Sequence, residues 1–301
     1  MSNETKPSIH EVVTAKIVTM LEAGAVPWQK QWKGGSSRPL RSTGERYNGI
    51  NVLILWATAM EKGYSSPYWF TFKQALALKG CVRKGEKGTT VVYAATFTKE
   101  ETNDAGDTTK KTIPFLRSYV VFNAEQCAGL PAKYTTPDDV TTTPFERIEN
   151  AREFFHHVGA DVRTGGTSAH YSPAGDYIAM PASELFVDAI AYESVLAHET
   201  IHWTGHASRE NRLDKMARFG SEAYAFEELV AELGSAFLCA DLGIENDPQP
   251  NHASYIASWI KVLKNDHKAI FNAASLASAA VARLHASQPN AVEVTVETVE
   301  A

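Results

Sequence analysis

The pentapeptide His198-Glu199-Thr200-Ile201-His202 restricts what this 301-residue chain can fold into more than any other stretch of it. On a helix, residues four apart lie on one face a turn from each other, so His198 and His202 can offer two imidazole nitrogens to one tetrahedral metal. Glu199 then stands beside the open coordination position. There it can take a proton from water and pass it to a leaving amine, while the metal lowers the pKa of water towards ~7. HExxH on a helix is a pattern by which metalloproteases hold zinc. The fold therefore has to supply a helix across 198–202 and a third protein ligand.

The surrounding residues support the helix. From Asp188 to Gly205 the apolar positions Ile190, Tyr192, Val195, Leu196 and Ile201 recur at helical spacing, with an acidic residue at the start and a glycine where a C-terminal cap belongs. In metzincins the third ligand is a histidine three residues beyond a glycine that itself follows the second histidine by three. Gly205 is in register for that pattern, but the required position holds Ser208, and His206 is two residues early. That pattern is absent here. Downstream, FEELVAELGSAFLCADLG reads as a second amphipathic helix with Glu227, Glu228 and Glu232 among Leu229, Val230, Leu233, Ala236 and Phe237. Carboxylates inside an apolar helix are costly to bury unless they are paired or bind a metal. Glu228 and Glu232 share one face at i and i+4, which suits one as a metal ligand and the other as an acceptor that fixes a ligand histidine.

Charge separates the chain into halves. Residues 1–131 carry 17 Lys+Arg against 11 Asp+Glu, and residues 132–301 carry 12 against 24, so an anionic partner suits the front half. Cys81, Cys127 and Cys239 are odd in number and form no CxxC, which fits reduced thiols in a cytoplasm. The start MSNETKPSIHE has no hydrophobic signal region, and the longest aliphatic-aromatic run, Val52–Ala57, is too short to span a bilayer. A cytoplasmic protein without a membrane partner is expected.

In chain order, Ser8 and Glu11 make a capping-box pattern ahead of a helix from Ile9 to Ala23. The loop PWQKQWKGGSSRPLRSTGERYNG sets Trp28 and Trp32 among Lys30, Lys33, Arg38, Arg41 and Arg46. Indole faces stack on unpaired bases while cations follow phosphates, as single-stranded nucleic-acid binders require; the competing use of the tryptophans is to plug a core. A helix from Asn51 to Lys62, a short helix capped by Thr71 and Gln74, and a basic turn with Arg83, Lys84 and Lys87 follow. Thr89–Thr98 and Thr112–Asn123 read as a hairpin whose aromatic residues Tyr93, Phe97, Phe115, Tyr119 and Phe122 sit in strand patterns that favour the core, with base platforms as the competing use. KYTTPDDVTTTP reads as a linker, which divides the chain into 1–132, the linker 133–143, a mainly helical domain over 144–286 and an unfolded acidic tail over 287–301. Within that helical domain, HYSPAGDYIAMP reads as two short strands able to present a substrate edge beside the metal helix. The fold class is α+β.

HETIHWTGH followed by RENRL and FGSEAYAFEELVAELGSAFLCADLGI resembles the metallopeptidase domain of ArdC-type antirestriction proteins of conjugative plasmids. PWQKQW, RYNGINVLIL and WFTFKQALALKGCVRKGEKGT resemble the amino-terminal domain of that family, also found fused to plasmid primases. The resemblance implies a small α+β domain that binds single-stranded DNA and a gluzincin-like domain with a short sheet. It implies a protein that protects entering DNA from host restriction. The metal domain is also similar to ImmA/IrrE-type peptidases, whose ligand glutamate opens an E-x-x-A motif. Here that motif falls on Glu228-Leu229-Val230-Ala231, which singles out Glu228 as ligand and leaves Glu232 beside it. His and carboxylate donors suit one divalent transition metal, zinc first and manganese or a neighbour next. Two functions follow: a metal-dependent endopeptidase brought to its target by the DNA-binding domain, its protein substrate unidentified and a component of host restriction one candidate; or a non-catalytic single-stranded DNA shield with a structural or vestigial metal site.

Overall fold

The computed structural model describes residues 7–29, 37–102, 108–135, 143–213, 221–245 and 252–289, with the backbone alone at 94–102, 108–115 and 252–254. In chain order its elements are α1 (Ile9–Glu22), β1 (Leu40–Arg41), α2 (Ile50–Lys62), β2 (Tyr68–Thr71), α3 (Phe72–Ala77), β3 (Cys81–Val82), β4 (Thr89–Thr102) and β5 (Thr108–Asn123). They continue with β6 (Cys127–Ala128), α4 (Ala132–Thr135), α5 (Pro144–Val158), β7 (Asp161–Thr164), β8 (His170–Ser172) and β9 (Tyr177–Met180). Last come α6 (Ala189–Thr204), α7 (Glu222–Leu242), α8 (His252–Asn265) and α9 (Ala269–Ala286). The α+β reading holds. The chain forms two compact units, one of residues 39–139 and one of residues 1–38 with 140–301.

Residues 39–139 build a four-stranded sheet in the order β1-β2-β5-β4, parallel between β1 and β2 and antiparallel elsewhere. Val52, Leu53 and Leu55 of α2 are fully buried, and Gly63 ends that helix in the left-handed conformation at φ 72°. The Thr71 and Gln74 capping box forms as the sequence predicts and starts α3 directly from β2. Phe70, Ala75, Ala124, Cys127 and Tyr134 pack into one cluster beneath it. The β4–β5 hairpin is longer than its sequence pattern predicts, running in register from Thr89↔Val121 to Thr102↔Thr108. Its strand ends carry few apolar residues, so only backbone pairing marks them. Tyr93 and Tyr119, read from sequence as core, are 41% and 40% exposed, because the hairpin runs beyond the width of the sheet it grows from.

The second unit is mainly helical. α7 packs against α6, α8 and α9, and Leu229, Val230, Ala231, Leu233, Phe237, Leu238 and Cys239 are completely buried along it. Two small-residue contacts set the helix spacing. Ala273, Ala274, Ala277 and Ala280 of α9 have no exposed surface and let its backbone approach α7. At Gly234 an added Cβ would stand 2.9 Å from three carbons of Ile201, so glycine is what lets α6 cross α7 at this distance. A three-stranded sheet in the order β7-β9-β8 leaves β8 at its edge, against α6.

The amino-terminal segment falls within the compact unit that holds residues 140–301, whereas the sequence boundaries group it with residues up to 132. α1 packs on α8, with Ile17 and Leu21 buried, the Thr14 hydroxyl donating to the His267 carbonyl (2.8 Å) and Lys264 paired to Glu22 (2.6 Å). Trp28 follows it into the same core and meets Trp259 edge-on at 5.9 Å between centroids. An apolar helix face names no partner; here the complementary surface is α8. The linker residues 136–142 and the tail beyond 289 lie outside the described residues.

Candidate metal centre

α6 begins on Asp188, whose carboxylate accepts from the Ala191 N–H (2.8 Å), and it carries His198, Glu199 and His202 on a buried face. Gly205 ends it at φ −76°, a conformation open to any residue, so its conformational freedom is not used. Space is what matters there. A Cβ on Gly205 would lie 2.9 Å from Leu213 Cγ and 3.1 Å from Arg212 Nη2. The chain after the helix folds back over this glycine, with the Arg212 and Leu213 N–H groups donating to the Gly205 carbonyl.

The two histidine Nε2 atoms stand 3.2 Å apart. Glu228 on α7 brings Oε2 to 3.7 Å from His198 Nε2 and Oε1 to 3.6 Å from His202 Nε2. Metal–ligand bonds of ~2.0–2.1 Å in a tetrahedron require donor separations of about 3.4 Å. Three buried donors within 4.8 Å of one another fit one divalent ion. Burial works against protonation of His198, but the carboxylates of Glu228, Glu199 and Glu232 outweigh it and lift the imidazole to about 9. For Glu228, burial is opposed by the hydrogen bond to His198 and the charges of both histidines, which hold it near 2. Such a cluster of negative charge around imidazole is relieved by a cation.

The spacing along α7 predicts Glu232 as the carboxylate that orients a ligand histidine. The structure sets Glu227 beside His202, with Oε1 3.5 Å from Nδ1. Arg212 clamps that carboxylate from behind through Nη2 (3.0 Å) and Nε (3.2 Å), and also donates to the Ile201 carbonyl and the Thr204 hydroxyl. Glu227, Arg212 and His202 are all buried or nearly so. The pair of adjacent glutamates in FEEL was legible in sequence, but nothing local distinguished which neighbour would turn to which histidine. Glu232 is buried on α7 and adds its charge to the field at His198, whose Nδ1 has no hydrogen-bond partner among the described residues.

Glu199 points at the sheet. Its Oε2 accepts from the Tyr171 N–H of the edge strand β8 (2.8 Å). Tyr171 is fixed in turn, its hydroxyl donating to Asp176 (2.8 Å), and Arg209 binds Asp176 and the Tyr171 hydroxyl while its guanidinium lies 3.8 Å over the Trp203 ring. Two phenols close the other side. Tyr224, one turn before Glu228, hydrogen-bonds that carboxylate, and its hydroxyl lies 3.4 Å from that of Tyr255.

Among the described residues, the candidate nucleic-acid residues differ in burial. Trp28 is 3% exposed, so neither indole face is open to a base and its stacking role is corrected to a core one. Arg38 is corrected likewise. Its guanidinium makes a two-pronged pair with the buried Asp241 (2.8 and 2.6 Å), which His285 also approaches at 2.9 Å. An arginine paired to a carboxylate under the surface does not present its charge to a phosphate. Lys30, Trp32 and Lys33 lie outside the described residues. Arg41 packs over Tyr47 and pairs with Glu45 at 3.7 Å; Arg46, Lys84 and Lys87 are exposed, as is Arg83, which is bonded to Glu86.

Residues 7–122 match the profile described as the N-terminal domain of anti-restriction factor ArdC, and residues 149–276 match a zincin-like metallopeptidase profile. A crystal structure of the antirestriction protein ArdC from plasmid R388, in metal-free form, superposes with TM-score 0.79 at 44% identity, covering 93% of this chain and 98% of that one. The chain belongs to the ArdC family. The Mn(II)-bound form of R388 ArdC matches with TM-score 0.76 over 94% of this chain and 99% of that one. The uncharacterized protein y4eC of Sinorhizobium fredii (strain NBRC 101917 / NGR234) is 41% identical over 96% of this chain and 95% of its own length. A DNA primase TraC of Escherichia coli is 42% identical over 90% of this chain, which spans 26% of the primase. Among the described residues of this ArdC-family chain, no helix is long and apolar enough to cross a membrane.

Proposed function

We propose that this chain protects incoming DNA of a conjugative plasmid or similar mobile element from host restriction, by binding single-stranded DNA and by a metal-dependent peptidase-type site. The observation that carries the second half is the buried Glu199 carboxylate next to three converging donors, since a structural metal site needs ligands but no general base. In this reading His198, His202 and Glu228 hold the ion, zinc by donor chemistry, with manganese kept open by the Mn(II) form of the R388 relative. When bound, the ion supplies Lewis-acid polarisation and acidifies water. Glu199 takes the proton and returns it to the leaving amine. The Tyr171 N–H aims its carboxylate from β8, the edge strand of the three-stranded sheet. Glu232 adds charge behind His198.

The DNA-binding half rests on the exposed cations Arg46, Arg83, Lys84 and Lys87 and the half-buried Arg41 of residues 39–139, with Lys30, Trp32 and Lys33 of the preceding loop as further candidates. Glu199→Gln tests the reading. The amide still accepts from Tyr171, so metal content and melting temperature stay as in the unmodified protein while peptidase activity disappears. Activity that survives the change assigns the base elsewhere. A metal-loaded, unmodified protein that cleaves nothing, with or without single-stranded DNA, leaves the non-catalytic shield as the function.

A further inference from the structure

Correcting Trp28 and Arg38 removes an aromatic platform and a cation from the proposed DNA-binding residues, and the hairpin supplies Arg117 together with Tyr93 and Tyr119, for which the sequence favours a core over a base platform. We propose that the face of the β4–β5 hairpin carrying Tyr93, Arg117 and Tyr119 is where unpaired bases of a single strand stack. This rests on the reading of the chain as a single-stranded DNA binder.

The register decides which side chains share the face. Val91 pairs with Tyr119 and Tyr93 with Arg117, so with the two-residue period of a strand these four, together with Val121, point the same way. Val91 and Val121 at its root are 5% and 2% exposed, whereas Tyr93 and Tyr119 are 41% and 40% exposed and meet edge-to-face at 6.4 Å. Two phenol rings standing out of a sheet beside an exposed guanidinium match the chemistry of a strand-borne base platform. The opposite face presents Val120 and Leu116, aliphatic chains with no π surface to offer.

The platform is also held still. The Asn51 amide donates to the Val92 carbonyl (2.7 Å) and accepts from its N–H (2.8 Å), satisfying the outer edge of β4 just before Tyr93. That closes the edge to a partner strand at this point and argues for side-chain recognition instead. Charge favours a polyanion over an acidic or apolar protein surface. Residues 39–139 hold 13 Lys+Arg against 10 Asp+Glu, while the remainder holds 16 against 25. The basic turn Arg83, Lys84 and Lys87 leads directly into Thr89 at the root of β4.

The test is fluorescence anisotropy on the full chain with a labelled oligothymidylate of about 20 nucleotides, longer than one site of ~4–16, against a duplex of equal length. Tyr93→Ala and Tyr119→Ala should each weaken single-strand binding on the order of tenfold with an unchanged salt slope, and Tyr→Phe at either position should not. Arg117→Ala should reduce the slope of log K against log salt by about 0.7. Photocrosslinking of a 5-iodouridine oligonucleotide to the unmodified protein should label Tyr93 or Tyr119, a readout independent of any variant's folding. Tight single-strand binding that survives Tyr93→Ala/Tyr119→Ala, or crosslinks confined to other residues, overturns the hairpin site and leaves the DNA-binding reading intact. Equal affinity for duplex overturns base stacking. If the unmodified protein has no affinity for the oligothymidylate, the DNA-binding reading and the hairpin site fall together.

Discussion

Arg212→Ala is the perturbation that most directly separates metal positioning from folding. Its side chain and that of Glu227 are each 5% exposed, and the guanidinium makes two bonds to the carboxylate, one to the Ile201 carbonyl and one to the Thr204 hydroxyl. Removing one member of a buried pair strands the other charge and costs about 3–5 kcal/mol. For a unit of this size, ~2–4 °C per kcal/mol gives a fall in Tm of roughly 6–20 °C. The second consequence is at the metal. Glu227 loses the clamp that holds it 3.5 Å from His202 Nδ1, and loss of such an orienting partner lowers metal affinity by about 10–100-fold. Chemical denaturation measures the first effect, and chelator competition with Zn(II) and Mn(II) measures the second. Combining Arg212→Ala with Glu227→Gln should recover much of the stability, because a neutral amide is cheaper to bury than a lone carboxylate, while the metal affinity stays low. A folded Arg212→Ala protein that binds metal within about twofold of the unmodified chain would refute the positioning role.

Trp28→Ala should destabilise by about 3–5 kcal/mol through the cavity it leaves against Trp259, with loss of DNA binding only where the protein unfolds; calorimetry beside DNA titration checks this. Gly234→Ala should cost ~1–3 kcal/mol, because its Cβ meets three carbons of Ile201, and should weaken metal binding by pushing α6 from α7. Asp176, held near 2 chiefly by its bond to Arg209, contributes stability that is complete above the ordinary aspartate pKa of ~3.9 and lost as pH falls through about 2. Asp176→Asn should therefore be less stable than the unmodified protein at neutral pH, with the difference vanishing near pH 2 in denaturant titrations. An unchanged difference across that range would remove Asp176 from the account.

Local spacing was enough for whatever a single helix or strand decides. His198 and His202 share a face because four residues make about one turn, Asp188 caps their helix, the Ser8–Glu11 and Thr71–Gln74 boxes start theirs, and Glu228 lies on an apolar helix where a charge needs a reason. Tertiary structure decided everything that depends on which surface meets which. Trp28 and Trp32 look alike in a basic loop, yet Trp28 enters a core because α8 offers Trp259 to it. Arg38 looks like its cationic neighbours until Asp241, two hundred residues on, is folded against it. Tyr93 and Tyr119 alternate as core residues do, but the hairpin outruns its sheet and leaves their outer faces open. Glu227 and Glu228 are adjacent in sequence and point to different atoms of the site, and the difference comes from Arg212 folding back over Gly205, a contact that no periodicity along α7 encodes.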